Sequence, residues 1–528
     1  MESEIDFIDS RKASAAFKRT SKQFTHVPAT FEEAITATEF GKYNVMLAIL
    51  VMLASFGAVL DTSTMSYTFV AAQCDLELSL SDKGLLNAVT YAGMITSAML
   101  WGFLFDVLGR KQLLILGFLV DAVFVFTSAF SQSLLLLLIT KYLQGLIING
   151  PFAALSSYIS EFHCAKYRPI FQMIIGTSIS LGQVLLPCLA WLVLPQPLDF
   201  TLINLNFHSW SVFLLITGLP AFLSGIVFTF CPESPKFLMT CGENEKALEI
   251  FRKVYSVNTG NPPESYPIKS LLDETKVSMD GSHVTAHRSK GQALREGFQQ
   301  IKPIFFKPHL SKISLTCAMM LFIVMSQNML RLWLPQIFQI ITDYQLVHEE
   351  SANLCTMLES GTLKPSNATL AEECVVNNNN SKVYINSIIV GCTAMIGNAL
   401  AGTLIRFIGK KKILLAALTT AGIFSVSMYF ASSEELAVAF SSIFIACGSV
   451  ANNVMVSVTV DLFPTTLRTM AIAVGMMIGR TGAMAGNFVF PYLLASGCEP
   501  PFFVVGAFMI AAALVSLLIP NTDMKALT

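Results

Sequence analysis

Charge is what this chain has least of. Of its 528 residues only 13% are Asp, Glu, Lys or Arg, and the formal net charge is -1. That balance leaves no basic excess with which to hold a nucleic acid. No cysteine–histidine spacing fits a metal site, and no glycine-rich loop of the phosphate-cradling kind is present, so neither a metal centre, a cofactor, nor ATP-driven pumping is expected, and nothing points to an enzyme. The first ~40 residues hold no short apolar run followed by a small-residue cleavage site, so no removable signal peptide is expected.

What the chain has in abundance is apolar surface. Hydrophobic residues make up 53% of it and the mean hydropathy is +0.61, which places it in a lipid bilayer. Runs long enough to cross hydrocarbon fall at 44-70, 84-105, 111-131, 134-160, 169-194 and 210-231, then at 310-340, 384-408, 412-431, 435-461, 469-495 and 501-519. They are too long for barrel strands, and lipid offers no partner for backbone polar groups, so all twelve are expected to be helices. The fold class is therefore an all-α membrane protein of two six-helix bundles.

Orientation follows from the tails and connections, which together with Lys111, Lys312 and Lys412 at the adjoining span ends hold 27 Lys and Arg on the side of the termini and 3 on the other. Both termini are expected in the cytoplasm. The chain then divides into a cytoplasmic tail (1-43), a first bundle (44-231), a cytoplasmic linker (232-308), a second bundle (309-520) with an outer loop (341-383), and a short cytoplasmic tail (521-528). In the linker, GENEKALEIFRKVYS reads as an amphipathic helix lying on the membrane surface. The outer loop carries two glycosylation sequons, at Asn367 and Asn379. It also holds Cys355 and Cys374, for which an oxidising compartment predicts a mutual disulfide. The remaining cysteines read as small buried hydrophobes.

A repeat runs through the charged punctuation between spans. Gly102, Gly109, Arg110 and Lys111 return 300 residues later as Gly402, Gly409, Lys410 and Lys411, and Glu161 and Arg168 return as Asp461 and Arg468. Such correspondence, at the same place between spans each time, indicates duplication into parallel six-span halves that rock about a midplane site.

On these residues the chain resembles the major facilitator superfamily. GFLFDVLGRK, Gly102 to Lys111, is similar to its signature loop, and Glu161, Arg168 and the stretch PESPK around Glu233 resemble marks of its sugar-porter branch. YAGMITSAMLWGFLFDVLGRKQLL, SYISEFHCAKYRP, FHSWSVFLL and PESPKFLMTCGENEKALEIF are similar to the synaptic vesicle glycoprotein 2 group. Departures are Arg406, where the second loop would carry an aspartate, and Thr64, where the group tends to carry an acid. The resemblance implies a monomer that works by alternating access. It also implies an inner latch in which Asp106 faces the start of the eleventh span while Arg110 and Arg168 pair with Glu161 and Glu233. Gly102, Gly109, Gly409, Lys410, Asp461 and Arg468 belong to the same expected gate.

Ionisable groups at membrane depth are costly and need a partner or a function. Asp121 in span three and Lys141 in span four come to similar depth and read either as a structural pair or as part of proton or substrate movement. Asp61 in span one and Arg480 in span eleven come from opposite halves. They are candidates for binding the two ends of a polar solute, or each other. Arg331 reads as an interfacial, snorkelling residue. Tyr91, Trp191 and Trp333 are candidate cavity-lining aromatics, with packing or a membrane belt as the other reading.

Two functions remain. One is a secondary active or facilitative transporter of a small charged organic solute, with or without a coupled proton or other ion, in the plasma membrane or a secretory or synaptic vesicle. The other is a non-transporting vesicle or surface regulator that recruits partners through its tail and outer loop.

Overall fold

The computed structural model describes residues 28–202, 205–273, 302–348, 352–362 and 380–520. Twelve helical spans run through it, and six lie in each half. In the first half they are Lys42–Ser63 continued by Met65–Ala71, then Leu80–Leu108, Arg110–Ala129, Leu134–Glu161, Arg168–Val193 and Ser209–Phe230. The second half has Leu310–Arg331 continued by Leu334–Val347, then Ser381–Ile408, Lys410–Ser427, Glu434–Leu462, Thr465–Ala495 and Glu499–Ser516. Among the described residues, ten helices are apolar enough throughout to cross a membrane on composition alone. Spans two and eleven pack on each other between the halves.

The duplication is written into the helix ends. Ser133 and Ser433, 300 residues apart, each cap a fourth span of their half by accepting the backbone N–H three residues on. Gly109 and Gly409 both take positive φ, +78° and +89°, where the second span of each half turns into the third. A side chain at Gly109 would be strained there, and its Cβ would lie 2.7 Å from Glu233 Oε2. The second half encloses its own apolar core, centred on Trp333, Phe338, Phe444 and Phe502. In the first half the core is built around Phe118, Tyr158, Phe162 and Phe228.

An even number of spans puts both described ends on one face, called the terminal face below. There the short helix Phe31–Ala37 begins with a capping box: Thr30 N–H donates to Glu33 Oε2 at 2.8 Å, and Glu33 N–H donates back to Thr30 Oγ1. It buries Phe31, Ala34 and Ile35 against Leu238, Met239, Leu248 and Phe251 of the linker. The amphipathic helix therefore differs from expectation. Asn244–Thr259 covers its apolar face with this N-terminal helix and the end of span one instead of laying it on lipid.

On the opposite face a small hairpin, Phe200–Leu202 with Leu205–Phe207, pairs Phe200 with Phe207 between spans five and six. The loop after span seven holds a helix, Leu354–Thr362, that packs on the end of span seven and beside the ends of spans nine and twelve. This placement corrects the expected disulfide. Cys355 is bonded to Cys498 at the start of span twelve, with a Cα–Cα distance of 5.3 Å, and not to Cys374. Leu354 N–H donates to Ala431 O, which seats the loop helix over the second bundle and brings Cys355 there. Cys74 is also disulfide-bonded. Cys374, Asn367 and Asn379 lie outside the described residues.

Candidate functional site

The two halves touch near the opposite face and part toward the terminal face. Lys83 Nζ donates to Gln336 Oε1 at 2.8 Å, Arg331 Nη1 to Ser63 Oγ at 3.0 Å, and Trp191 Nε1 to Ser381 Oγ at 3.2 Å. Trp333 of the second half is fully buried between Phe490 and Phe69 of the first, with ring centroids 4.8 and 5.7 Å away. Spans five and eight record both conditions along their lengths. A Cβ at Gly391 would meet Gln183 O at 3.1 Å, whereas at Gly176 and Gly402, nearer the terminal face, it would meet nothing within 4 Å.

Between the halves lies a cavity of about 220 Å³. Spans one, two, four and five line it with Ala58, Val59, Thr62, Tyr91, Met94, Ile148, Asn149, Phe152 and Ile179. Spans seven, ten and eleven contribute Val324, Gln327, Asn328, Asn452, Met476 and Arg480. Helical spacing selects these groups: Ala58 and Thr62 are one turn apart, as are Met476 and Arg480. Span eleven can bring Arg480 inward because its glycines sit against span seven, where a Cβ at Gly482 would lie 2.7 Å from Leu321 O. Arg480 Nη1 donates to Asn149 Oδ1 across the halves, and Tyr91 Oη donates to Asn328 Oδ1 at 3.1 Å.

Asp61 does not meet Arg480. It lies one residue before Thr62 in the helix, so its side chain leaves by a different face and enters the interior of the first bundle. There it joins Asp121 and Lys141, and all three are at most 3% exposed. Lys141 Nζ donates to Gln144 Oε1 at 2.7 Å, and Gln144 Nε2 donates to Asp61 Oδ1 at 2.6 Å. The Asp121 carboxyl faces that of Asp61, and among the described residues its oxygens accept from no other group. The structure thus gathers Asp61, Asp121 and Lys141 beside the cavity, not in its wall.

The aromatic and outer residues divide as well. Tyr91 lines the cavity, but Trp191 stands at the opposite-face end of span five, 41% exposed, and Trp333 is part of the seal. Arg331 does not snorkel. Besides Ser63 it donates to Asn328 Oδ1 at 2.8 Å and lines a small pocket with Ser66, Tyr67, Gln183 and Ser387. The residues that sequence reasoning missed are amides: Asn149, Gln144, Gln327, Asn328, Asn452 and Gln336. Polar groups inside spans were a sufficient signal for them, since each must find a partner or a cavity.

The expected gate charges form a network within each half. Arg110 Nε meets Glu161 Oε1 at 3.2 Å, and Lys410 Nζ meets Asp461 Oδ2 at 2.6 Å, the same pair in each repeat. Glu233 Oε1 accepts the backbone N–H groups of Arg110 and Lys111 at 3.1 and 3.0 Å, so it caps the start of span three, where free N–H groups and the helix dipole favour a carboxylate. Glu161 accepts from Ser234 Oγ, closing the ring. Arg168 pairs with neither acid. It turns outward to Glu32 of the N-terminal helix and to the carbonyls of Ser160 and His163. Burial pushes the adjacent His163 imidazole down to about 4, so it adds no charge to this face at neutral pH. The described gate pairs therefore stay inside one half. The side chains of Asp106 and Arg406 lie outside the described set, and Arg468 forms no ion pair among the described residues.

Two duplicated helical bundles around a solute-sized cavity, closed at one face and parted at the other, define a membrane transporter. The chain belongs to the sugar (and other) transporter family, whose model matches residues 30–338, and residues 351–527 match that of the Major Facilitator Superfamily. Synaptic vesicle glycoprotein 2B of Rattus norvegicus is 22% identical over 93% of this chain and 85% of its own length. Organic cation/carnitine transporter 7 of Arabidopsis thaliana is 24% identical over 90% of each. Among solved structures, the inward-open xylose transporter XylE from E. coli superposes with a TM-score of 0.63 at 18% identity, covering 92% of this chain and 98% of its own. That likeness carries the fold.

Proposed function

We propose that this chain is a monomeric secondary transporter that moves a small charged organic solute by alternating access between its two bundles. The observation that carries this reading is one cavity lined by both halves, sealed by Trp333, Phe69 and the Lys83–Gln336 bond on one side only. The excess of Lys and Arg on the terminal face makes that face cytoplasmic, so the conformation is inward-facing and both ends of the chain are inside. Plasma and vesicle membranes are equally compatible with this topology. A regulator that moves nothing gives no reason for a buried arginine in a cavity between mobile halves.

Coupling to protons is part of the proposal. Asp61 and Asp121 face each other with one ammonium, Lys141, beside them, so the cluster is neutral only when one carboxyl holds a proton. A related solved structure carries the name D-xylose-proton symporter, which is consistent with such coupling. The test is uptake into liposomes containing the full chain, with radiolabelled benzoate, benzylamine, xylose and alanine as probes. Accumulation of one probe is expected, with loss in Arg480→Gln and loss of its dependence on a pH gradient in Asp121→Asn. No accumulation of any probe by folded protein would contradict the transport reading.

A further inference from the structure

We infer that the solute is an organic anion with an apolar body, its negative group bound by Arg480. This rests on the transport reading and assigns the class of solute to the same cavity. Among the described residues, Arg480 is the single charged one in the cavity wall, and its hydrogen-bond partner, Asn149, is neutral. Both acids described at membrane depth in the first bundle, Asp61 and Asp121, are turned away into the company of Lys141. A guanidinium removed from water without a carboxylate is costly, and a bound anion offsets that cost.

A second arginine extends the same potential along the path. Arg331 lies toward the sealed face among Ser63, Ser66, Tyr67 and Gln183, again with no acid among the described residues of the pocket wall. It shares Asn328 Oδ1 with Tyr91, whose ring lines the Arg480 cavity, so one amide joins the two cationic places. The rest of the cavity wall fits the remainder of such a molecule. Met94, Ile148, Phe152, Ile179, Val324 and Met476 supply an apolar surface, while Gln327 and Asn452 present amides. Asn452 Oδ1 is buried with no partner among the described residues and can accept a hydrogen bond from a solute hydroxyl. A carbohydrate would meet few of its hydroxyl partners on such a wall, and a cation would meet repulsion.

The experiment compares probes of one shape and different charge on the detergent-purified full chain: benzoate, benzenesulfonate, benzamide and benzylamine, with xylose as a sugar. Thermal stabilisation reads binding by mass action on the folded state, and liposome uptake of the same labelled probes reads movement. Benzoate and benzenesulfonate should stabilise saturably, benzamide and benzylamine should not, and Arg480→Gln should weaken benzoate binding about tenfold or more. Arg480→Lys, which keeps the charge without the planar fork, should retain part of the affinity and shows that loss in Arg480→Gln is not misfolding. Stabilisation by benzylamine or xylose equal to that by benzoate, undiminished benzoate binding in Arg480→Gln, or no stabilisation by either anion would overturn the inference. If xylose or benzylamine is bound and accumulated, the anion assignment fails and transport stands. If benzoate binds through Arg480 yet is never moved, transport fails and the anion site stands.

Discussion

At the scale of single residues, Lys141 is the hinge of the buried cluster. It is the one cation described beside two carboxyls that have almost no water, and Gln144 relays its charge to Asp61. Lys141→Met leaves those carboxyls uncompensated and should cost about 3–5 kcal/mol, seen as a fall in Tm of the purified protein. Adding Asp121→Asn to Lys141→Met should recover most of that loss, whereas no recovery would mean that Lys141 acts through packing alone. The sequence made these residues visible because a charge at membrane depth stands out. Depth along a helix can be read from residue number, but the direction in which a side chain leaves the helix depends on packing, which is why Asp61 and Arg480 were expected together and are apart. Trp333 shows the same limit, since a tryptophan near a helix end reads alike as liner, belt or plug. Asn and Gln obey the same rule with a smaller penalty, so the amides stand out less in the sequence than the ionisable groups do.

At the scale of elements, span eleven shows how small residues position a large one. Gly475, Gly479, Gly482 and Gly486 face span seven, close enough that a Cβ at Gly482 would strike Leu321 O. Gly482→Leu should force the two helices apart and lower stability by about 1–3 kcal/mol, with loss of any Arg480-dependent ligand stabilisation. A variant with unchanged Tm and ligand response would show that this contact does not hold Arg480 in place. The spans themselves were legible, because a hydrophobic run must become a helix in lipid. The interruptions were not: span one restarts at Met65 and span seven at Leu334. Nor could the sequence show that Phe31–Ala37 docks on the linker, or that Leu354–Thr362 carries Cys355 to Cys498, since both depend on pairing between segments far apart in the chain.

At the scale of the molecule, two repeats 300 residues apart give two bundles whose matching ion pairs, Arg110–Glu161 and Lys410–Asp461, brace the same corner of each. These pairs are internal to each half, so they can keep each bundle rigid while it rocks, and the changing contacts are those between halves. The duplication was legible from glycines and charges alone, but whether an ion pair joins two halves or braces one was not. Alternating access requires that the halves exchange which face is closed. Distances between spin labels test it most directly in the full chain with its reactive free cysteines replaced by serine, reconstituted in lipid. One pair is Lys166→Cys with Phe407→Cys on the terminal face, the other Glu77→Cys with Val347→Cys on the opposite face. Alternating access predicts two distance populations for each pair, with the long one at the terminal face matched in amount by the short one at the opposite face, and both shifting together when benzoate or a pH gradient is added. A single unchanging distance at both faces would contradict it.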